Sequence, residues 1–429
     1  MTGKPPRIVI IAGEASGDSY GAGLASRLRE IVPGADIRGT GGPKMREAGV
    51  RLLYDSSRWS AIGVSEALKL VPRLSIVLCR LGRFLRADPP DLLILIDFGA
   101  FNVRLARRVR STVARIVYYI PPGSWNRQAS YARLKGLADH VITPFPWSAD
   151  ALRKEGFDAH FLGHPLLDLS KPTLSTDEFH ERFGFAKDQP IVGLLPGSRP
   201  PEIAHNLPVL VVAAARLLRA LPGLQFAIPV APTVDAEGLA RELRGVSSLR
   251  VELNSGEHVE QREREGLPSP RLAGRICNLA VKEGLTQETR VVPVTLIRGM
   301  AADVLAHSRA AAVTSGTATL EAAILGCPMV IVYRGSRSAA LEFRLRGKGI
   351  KFIGMPNIVL DRLVCPELIQ DQANPGRIAQ ELHGLIGETP EREEMLNAFA
   401  RIKGVLGAPG ALDRAANAIA DLVGRIDQQ

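Results

Sequence analysis

The 429-residue sequence predicts an α/β protein that contains two doubly wound, Rossmann-like domains. Two observations predict this fold. Short, continuous apolar runs alternate with segments of helical periodicity, which is typical of parallel strands that are buried on both faces and connected by helices. The same alternation occurs in both halves of the chain, and at roughly 100–200 residues per domain the chain is long enough for two domains.

The apolar runs and the helical segments can be assigned in order. The predicted strands are 7–13, 91–98, 114–120, 140–145, 191–197, 224–230, 310–316 and 328–333, and the predicted helices are 18–32, 101–111, 124–139, 148–156, 207–221 and 317–326. A stretch near 164–190, rich in Pro, Ser and Thr, separates a first domain, 1–168, from a second, 185–405. We expect an irregular insertion near 252–292, and a C-terminal helix at about 411–425 that returns to the first domain.

The composition narrows the class of protein. Apolar residues make up 46% of the chain and charged residues 23%, which are ordinary values for a globular protein. No uninterrupted apolar stretch reaches the roughly 18–20 residues that span a bilayer, and the first run lacks the pattern of a signal peptide, so we expect a cytoplasmic protein. The net charge of +10 favours anionic partners, but the 5% aromatic content and the lack of an RNA-binding signature argue against nucleic acid.

The sequence offers no support for metal or thiol chemistry. The four cysteines, Cys79, Cys277, Cys327 and Cys365, form no CxxC pair, which favours structural thiols in a reducing compartment. The eight histidines are scattered, and neither HExxH nor a Walker A motif occurs, so we expect no metal site. His164, between a glycine and a proline, is interpreted as a turn residue.

Candidate functional residues follow the strands, because ligands of open parallel sheets bind beyond the carboxyl ends of the strands. Asp97 ends the most apolar run and is either a buried helix cap or a general base. Residues 13–18 (GEASGD) form a turn that suits an anion, although Ser16 or Asp18 could simply cap the following helix.

Two further turns, in the second half, suit phosphate. Residues 197–199 (GSR) offer backbone N–H groups, a hydroxyl and a guanidinium to a diphosphate, or form a structural turn. Residues 314–319 (TSGTAT) suit phosphate or ribose, or cap a helix with their hydroxyls. Three such turns suggest a ligand between the two domains.

Residues 65–86 combine apolar and basic side chains and contain Glu66 as their acidic residue. Basic amphipathic segments of this kind lie on anionic membrane surfaces, and the alternative is an ordinary packed helix with a basic, solvated face. The pattern alone does not choose between the two interpretations.

Longer motifs resemble the lipid-A-disaccharide synthase family of bacterial glycosyltransferases. Among them are AGEASGDSYGAGL (12–24), GTGGPKM (39–45), ILIDFGAFN (94–102), LLPGSRPPEI (194–203), TSGTATLEAAILGCPMVIVYR (314–334) and MPNIVLDRLVCPELIQ (355–370), in the family's order. The resemblance implies a glycosyltransferase B fold, with two Rossmann-like domains facing across a cleft. It also implies inverting transfer of 2,3-diacylglucosamine from its UDP derivative to 2,3-diacylglucosamine 1-phosphate (lipid X), with no metal or other cofactor.

The resemblance also assigns expected roles to individual residues. Asp97 would take the proton from the 6-hydroxyl of the acceptor, and Arg199 would stabilise the departing UDP. The expected donor-site residues are Gly197, Ser198, Ser315, Gly316, Thr317, Glu321, Asn357, Glu367 and Gln370, and the expected acceptor-site residues are Gly13, Glu14, Ser16, Gly17, Asp18 and Trp125. Segment 65–86 would attach the protein peripherally to the inner membrane, and a homodimer is kept as one option.

The chain departs from the family pattern on the acceptor side. The residues after Asp97 are Phe-Gly-Ala in place of a Pro-Asp step, and 121–127 read PPGSWNR in place of a longer, Trp-rich stretch. The donor class is therefore firmer than the acceptor. Two alternatives remain: a related UDP-sugar transferase or epimerase of the same fold, and a non-catalytic membrane-surface protein that binds UDP.

Overall fold

The computed structural model describes residues 5–57, 59, 64–247, 249–254, 271–285, 291–336 and 351–424. The chain divides into two compact units. The first comprises Met1–Leu169 and Lys403–Gln429, and the second comprises Ser170–Ile402. Residues 170–184, which lie between the two domains predicted from the sequence, are thus part of the second unit.

Each unit contains a seven-stranded sheet in which all neighbouring strands are parallel. The strands of the first sheet are β1 (Arg7–Ala12), β2 (Asp36–Gly41), β3 (Arg51–Asp55), β4 (Leu92–Ile96), β5 (Arg115–Tyr119), β6 (His140–Thr143) and β7 (Ala159–Phe161). Those of the second are β8 (Ile191–Leu195), β9 (Gln225–Val230), β10 (Leu249–Asn254), β11 (Val292–Arg298), β12 (Ala310–Thr314), β13 (Met329–Tyr333) and β14 (Glu367–Ile369).

The strand orders are β3-β2-β1-β4-β5-β6-β7 and β10-β11-β9-β8-β12-β13-β14. In the first sheet the connections from β1 and β4 leave in opposite directions, and in the second sheet those from β8 and β12 do so, with β11 inserted between β9 and β10. Ligands of doubly wound sheets bind beyond the carboxyl ends of the strands at such a switch point. The topology therefore selects one edge position in each unit.

Helices connect the strands. They are α1 (Ala15–Ile31), α2 (Pro43–Glu47), α3 (Val64–Ala87), α4 (Gly99–Val109), α5 (Pro146–Lys154), α6 (Leu166–Leu169), α7 (Thr176–Phe183), α8 (Pro200–Ala220), α9 (Ala236–Arg244), α10 (Arg271–Lys282), α11 (Ala301–His307), α12 (Thr317–Leu325), α13 (Met355–Leu360), α14 (Pro375–Ile386), α15 (Pro390–Leu406) and α16 (Ala411–Gly424). Short 3₁₀ helices lie at Ala132–Leu134 and Gln370–Gln372.

The central strands are buried on both faces, which explains their continuous apolar sequence. All five residues of β4 and all five of β8 are buried. In the first unit, α3 and α4 cover one face of the sheet through Leu81, Leu85 and Leu105. The two-sheet α/β fold predicted from the sequence is confirmed.

Among the described helices, α8 alone has the length and apolar composition of a membrane span, and 72% of its most apolar window is buried within the protein. It packs against α10 and α14 in the second unit. These contacts are those of a core helix.

The C-terminal helix α16 packs against α1 in the first unit. A Cβ on Gly23 of α1 would lie 2.8 Å from the side chain of Leu412, so glycine permits this close approach. The carboxylate of Asp168 accepts hydrogen bonds from the N–H groups of Gly410 (2.6 Å) and Leu412 (2.8 Å) and thereby caps α16.

The helix predicted at 124–139 is wrong. Residues 122–125 form turns, and a single 3₁₀ turn, Ala132–Leu134, is the helical part of this segment. The N–H of Tyr131 donates to the carboxylate of Glu155, 3.0 Å away, and the Tyr131 side chain is buried in the core. Tertiary contacts of this kind override a helical pattern that is local.

The segment near 252–292, predicted to be an irregular insertion, contains regular structure in its described part. Strand β10 extends to Asn254, α10 spans Arg271–Lys282, and β11 begins at Val292. Leu272 and Ile276, four residues apart, are both buried, so α10 is amphipathic. Residues 255–270 and 286–290 lie outside the described part of the chain.

Helix α7 lies in the boundary stretch where the sequence analysis expected irregular chain. Ser175 and Glu178 form a capping box at its start, and Phe179 and Phe183 are buried. The Ser-Thr-Asp-Glu sequence before an apolar pair is a helix-start signal that the analysis did not use.

Candidate active site

The carboxyl-terminal edge of the first sheet carries Asp97, directly after β4. Asp97 and Phe98 have φ angles of 42° and 47°, in the left-handed region that non-glycine residues rarely adopt. The chain turns sharply here and enters α4 at Gly99. The N–H of Asp97 donates to the carbonyl of Ile120, 3.1 Å away. Strained backbone that is held by its surroundings is typical of functional sites.

The surroundings of Asp97 favour the protonated carboxyl. Burial raises its pKa to about 6, the negative charge of Glu14 adds to the rise, and a hydrogen bond from the N–H of Phe98 opposes it. Ala12 of β1 pairs with Ile96 of β4, so Glu14 and Asp97 follow adjacent strands at the switch point. A carboxylate with a pKa near neutrality is suited to act as a general base.

Gly13 is needed because of the aromatic side chain that follows Asp97. A Cβ on Gly13 would lie 2.2 Å from the ring of Phe98, which is closer than van der Waals contact allows. Gly17 is buried in the first turn of α1, where Ser16 is partly exposed. The structure thus brings Gly13, Glu14, Ser16 and Gly17 to the same sheet edge as Asp97.

Asp18 has a structural role, which corrects its assignment to the acceptor site. Its side chain is buried, and its carboxylate accepts hydrogen bonds from the N–H groups of Gly42 (2.7 Å), Lys44 (3.1 Å) and Met45 (3.0 Å). These groups belong to the turn before α2 and to its first residues. Asp18 therefore caps α2, and not the helix α1 on which it lies.

The stretch 121–127 follows β5, next to β4 on the same edge. Trp125 is exposed there, with 42% of its surface accessible. Trp147 anchors this stretch, because its Nε1–H donates a hydrogen bond to the carbonyl of Ser124 (3.1 Å). The guanidinium of Arg127 lies 4.1 Å from the centre of the Trp147 ring, in a cation–π contact. Trp125 is thus presented on an anchored turn.

The second unit carries the turn 197–199 directly after β8. Gly197 has a φ of 111°, a conformation that favours glycine. One carboxylate oxygen of Glu202 accepts hydrogen bonds from the N–H groups of Ser198 (2.9 Å) and Arg199 (3.3 Å). The other oxygen lies 3.0 Å from Nη1 of Arg199 and forms an ion pair with it.

This arrangement corrects one part of the predicted diphosphate site. The N–H group of Ser198, which with that of Gly197 was assigned to the diphosphate, already donates to Glu202, as does that of Arg199. The next two residues, Pro200 and Pro201, begin α8 and have no N–H group to donate. The backbone of Gly197, the hydroxyl of Ser198 and the guanidinium of Arg199 remain candidates for the donor site.

The start of α12 is better suited to bind an anion. Gly316, its N-cap, has a φ of 155°, and no side chain in the described part of the protein caps the helix. The Ser315 hydroxyl donates to a backbone carbonyl 2.7 Å away, and the buried hydroxyl of Thr314 has no partner among the described atoms. Thr317 and Glu321 lie in the first two turns of α12, next to this end. An uncapped helix start at a switch point is a suitable place for phosphate.

Asn357 is fully buried and has a structural role. Its amide donates to the carbonyl of Cys365 (2.9 Å) and to Glu367 (2.8 Å), and its amide oxygen accepts from the N–H groups of Val364 (2.7 Å) and Cys365 (2.9 Å). Glu367 also accepts from the N–H of Gly354 (2.8 Å). Both residues hold the segment between β13 and β14 in shape, so direct contact of Asn357 with a nucleotide is not supported.

Gln370 remains a candidate for the donor site, and Arg334 is an additional candidate. Gln370 has a φ of 53°, and its Nε2 is buried without a partner among the described atoms. Arg334 directly follows β13, is half-buried and donates to the carbonyl of Ala373 (2.9 Å), and burial lowers its pKa. The sequence analysis missed Arg334, although a cation at the end of an apolar strand was a usable signal.

The environments of His164 and of the four cysteines give no sign of a role in catalysis. His164 is buried and accepts from the N–H of Leu166 (3.1 Å), and burial lowers its pKa to about 3, as suits a neutral turn residue. Cys327 and Cys365 are buried, and Cys79 and Cys277 are exposed. The described residues include no group of three or more His, Cys, Asp or Glu side chains that could hold a metal ion.

Helix α3 contains the whole of the basic amphipathic segment 65–86 and has two faces where its side chains are described, from Val71 onward. Leu78, Leu81 and Leu85 are buried against the sheet. The exposed face carries Val71 and Ile76, which are 50% and 55% accessible, together with Arg73, Arg80, Arg83 and Arg86. The helix is therefore both packed and able to present an apolar, basic surface.

Comparison with known proteins identifies the family. The profile of the lipid-A-disaccharide synthetase family matches residues 8–255 and 277–403. The chain belongs to this family. It is 34% identical to the lipid-A-disaccharide synthase of Trichlorobacter lovleyi and 35% identical to that of Myxococcus xanthus, and each alignment covers 98% of both chains.

Solved structures place this lipid-A-disaccharide synthase family member among glycosyltransferase B folds. The UDP-GlcNAc 2-epimerase of Neisseria meningitidis, bound to UDP-GlcNAc, aligns with a TM-score of 0.58 and 14% identity, over 97% of this chain and all of that one. The calicheamicin glycosyltransferase CalG4 aligns with a TM-score of 0.57 and 16% identity, over 98% and 99%. At these identities the likeness shows the fold, and the predicted glycosyltransferase B fold is confirmed.

Proposed function

We propose that this protein transfers 2,3-diacylglucosamine from UDP-2,3-diacylglucosamine to the 6-hydroxyl of lipid X, with release of UDP. Membership of the lipid-A-disaccharide synthase family supports the reaction. The observation that carries the mechanism is Asp97, a carboxyl with a pKa of about 6 on a strained turn at the switch point of the first sheet.

Asp97 acts as the general base of the transfer. Its carboxylate takes the proton of the acceptor hydroxyl while the hydroxyl oxygen forms a bond to the anomeric carbon. The bond from that carbon to the UDP oxygen breaks on the opposite face, and UDP leaves with the electron pair. The anomeric configuration is inverted, because attack and departure occur on opposite faces.

The second unit stabilises the leaving UDP. We assign the diphosphate to the start of α12, where Ser315, Gly316 and Thr317 lie, and to the guanidinium of Arg199. Donors that are already oriented toward the developing negative charge lower the barrier without further reorganisation. Glu321, Gln370 and Arg334 are assigned to the nucleoside and phosphate, and Glu367 acts by shaping the segment between β13 and β14.

The first unit binds the acceptor. Glu14 and Ser16 lie at the same sheet edge as Asp97, and Gly13 and Gly17 let this turn pack closely against Phe98 and Ala12. Trp125 supplies an exposed aromatic face on the next turn of the same edge.

The exposed face of α3 attaches the protein peripherally to the inner membrane. Val71 and Ile76 enter the lipid interface, and the surrounding arginines attract anionic headgroups. Sedimentation with anionic and with neutral vesicles tests this assignment. A double Val71→Ser, Ile76→Ser variant should lose binding to anionic vesicles, whereas Val281→Ser, at a 75% accessible position on α10, should keep it.

The decisive experiment is UDP release by purified protein given UDP-2,3-diacylglucosamine, with and without lipid X. Release that depends on lipid X, with a disaccharide 1-phosphate product in the mass spectrum, supports both donor and acceptor. Release of UDP with a different acceptor would favour a related transferase. Consumption of the UDP-sugar without any acceptor product would favour an epimerase. UDP binding by calorimetry without any turnover would favour a non-catalytic relative.

A further inference from the structure

The Asp97 turn needs support, because two consecutive non-glycine residues adopt the left-handed conformation. Such backbone persists where the surrounding structure holds it in place. Two buried side chains provide hydrogen bonds to this turn, and the mechanism above uses neither of them.

Asn102 lies in the first turn of α4 and is fully buried. Its Nδ2 donates to the carbonyl oxygen of Asp97 (2.9 Å) and to that of Ile96 (3.1 Å), with a longer contact to Ile11 (3.4 Å). Ile11 and Ile96 belong to β1 and β4. One amide group therefore joins the ends of both switch-point strands to the peptide group of Asp97.

Tyr118 approaches the same carbonyl from β5. Its hydroxyl donates to the carbonyl oxygen of Asp97 (2.8 Å), and its ring is buried in the core. Burial and the charge of Asp97 raise the pKa of Tyr118, so the hydroxyl keeps its proton. The backbone of Asp97 is thus held on both sides, at its carbonyl oxygen by two side chains and at its N–H by the carbonyl of Ile120.

The Oδ1 of Asn102 is buried and has no partner among the described atoms. The hydrogen bonds that the structure gives the Asn102 side chain are therefore made by its Nδ2, to the backbone of the Asp97 turn and of the two neighbouring strand ends.

We propose that Asn102 and Tyr118 are positioning residues, which hold the strained peptide of Asp97 and so aim its carboxylate at the acceptor hydroxyl. Neither residue touches substrate. The inference rests on the proposed function of Asp97. It adds that the rate of transfer depends on a hydrogen-bonded clamp on the backbone behind the base.

The chain offers a matched pair of variants, Tyr118→Phe and Tyr119→Phe. Each removes one buried hydroxyl from neighbouring positions of β5, but only Tyr118 donates to Asp97. Because small misplacements of a catalytic group are costly, Tyr118→Phe should lower kcat about tenfold, and Asn102→Ala about a hundredfold. Tyr119→Phe should keep the wild-type kcat. Cooperative unfolding shows that a variant is folded, and each folded variant should bind UDP with the wild-type affinity.

A pH profile separates positioning from simple loss of stability. Glu14 and Tyr118 are the titratable groups that act on Asp97, and Tyr118 is neutral, so Glu14 supplies the charge. When the turn relaxes in Tyr118→Phe, the carboxylate gains solvent and the acidic limb of kcat/KM should move below its wild-type midpoint. If Tyr118→Phe and Tyr119→Phe have the same kcat and the same acidic limb of kcat/KM, the positioning role of Tyr118 is overturned.

Failure of the proposed function would give different results from failure of the positioning role. In that case wild-type protein releases no UDP with lipid X or with any other acceptor, or Asp97→Asn retains wild-type turnover. Either result removes Asp97 as the base and overturns the clamp with it. Full loss of turnover in Asp97→Asn together with unaltered Tyr118→Phe and Asn102→Ala enzymes would overturn the clamp alone.

Discussion

The carboxylate of Glu202 and the guanidinium of Arg199 form an ion pair, with Oε1 3.0 Å from Nη1. The same carboxylate accepts the N–H groups of Ser198 and Arg199. Glu202 therefore already binds the N–H groups and the guanidinium that could otherwise bind an anionic ligand. A diphosphate that approaches Arg199 meets this negative charge as well.

Glu202→Gln should strengthen UDP binding. The amide keeps an oxygen that accepts the backbone N–H groups but removes a negative charge next to Arg199, which is worth about 1 kcal/mol, or roughly fivefold in Kd, at low salt. Calorimetry with UDP measures the change. Glu388→Gln is the control, because it removes the same charge from an ion pair with Arg309 elsewhere in the second unit. Weaker UDP binding in Glu202→Gln would mean that Glu202 orients Arg199 and does not compete with the diphosphate.

Arg199→Ala should lower kcat by roughly 10²–10³, the usual effect of losing one group that stabilises a developing oxyanion. The effect should be larger on kcat than on the Kd of UDP, since the charge on the leaving oxygen develops in the transition state. Steady-state UDP release measures it. An unchanged kcat would exclude Arg199 from leaving-group stabilisation.

Asp97→Asn should reduce transfer by roughly 10²–10⁴ and leave the Kd of UDP near the wild-type value. Asparagine tolerates the left-handed conformation that position 97 requires, so the turn survives the change. Alanine at this position should also abolish transfer, but with added backbone strain. Loss of UDP binding in Asp97→Asn would place the residue in the donor site.

Glu14→Gln should move the acidic limb of kcat/KM to lower pH. Asp97 must be ionised to accept a proton, and its pKa of about 6 places the wild-type limb there. Removing the neighbouring negative charge favours the ionised form, which lowers the pKa of Asp97. Activity at pH 5 relative to pH 8 is the sensitive measurement. A limb that stays in place would show that the burial of Asp97 alone sets its pKa.

Asp18→Ala should destabilise the first unit by about 2–4 kcal/mol, because three N–H groups at the start of α2 lose their acceptor. Thermal or urea unfolding measures the loss. The Kd of UDP should not change, since UDP is assigned to the second unit. Full stability with loss of acceptor binding would restore Asp18 to the acceptor site.

Much of the fold could be predicted because burial leaves a local trace. Strand β4 reads as five apolar residues, since both of its faces are covered, and the polar residue at its end marks the sheet edge. Asp97, Arg199 and residues 315–317 were found by this rule. Strand β2 (DIRGTG) was missed because it carries polar residues and glycines, and β14 (ELI) was missed because it has only three residues.

The sequence by itself determined the fold class, the family and the sheet edges where the candidate site residues lie, because apolar patterning and motifs are properties of contiguous residues. The tertiary structure alone decided which polar side chains serve the fold. Asp18 bonds to residues 24–27 positions away, and Asn102 reaches Ile11 across 91 positions. Hydrogen-bond partners so far apart in the chain are set by which strands and helices the fold places side by side, and a linear pattern does not contain that information.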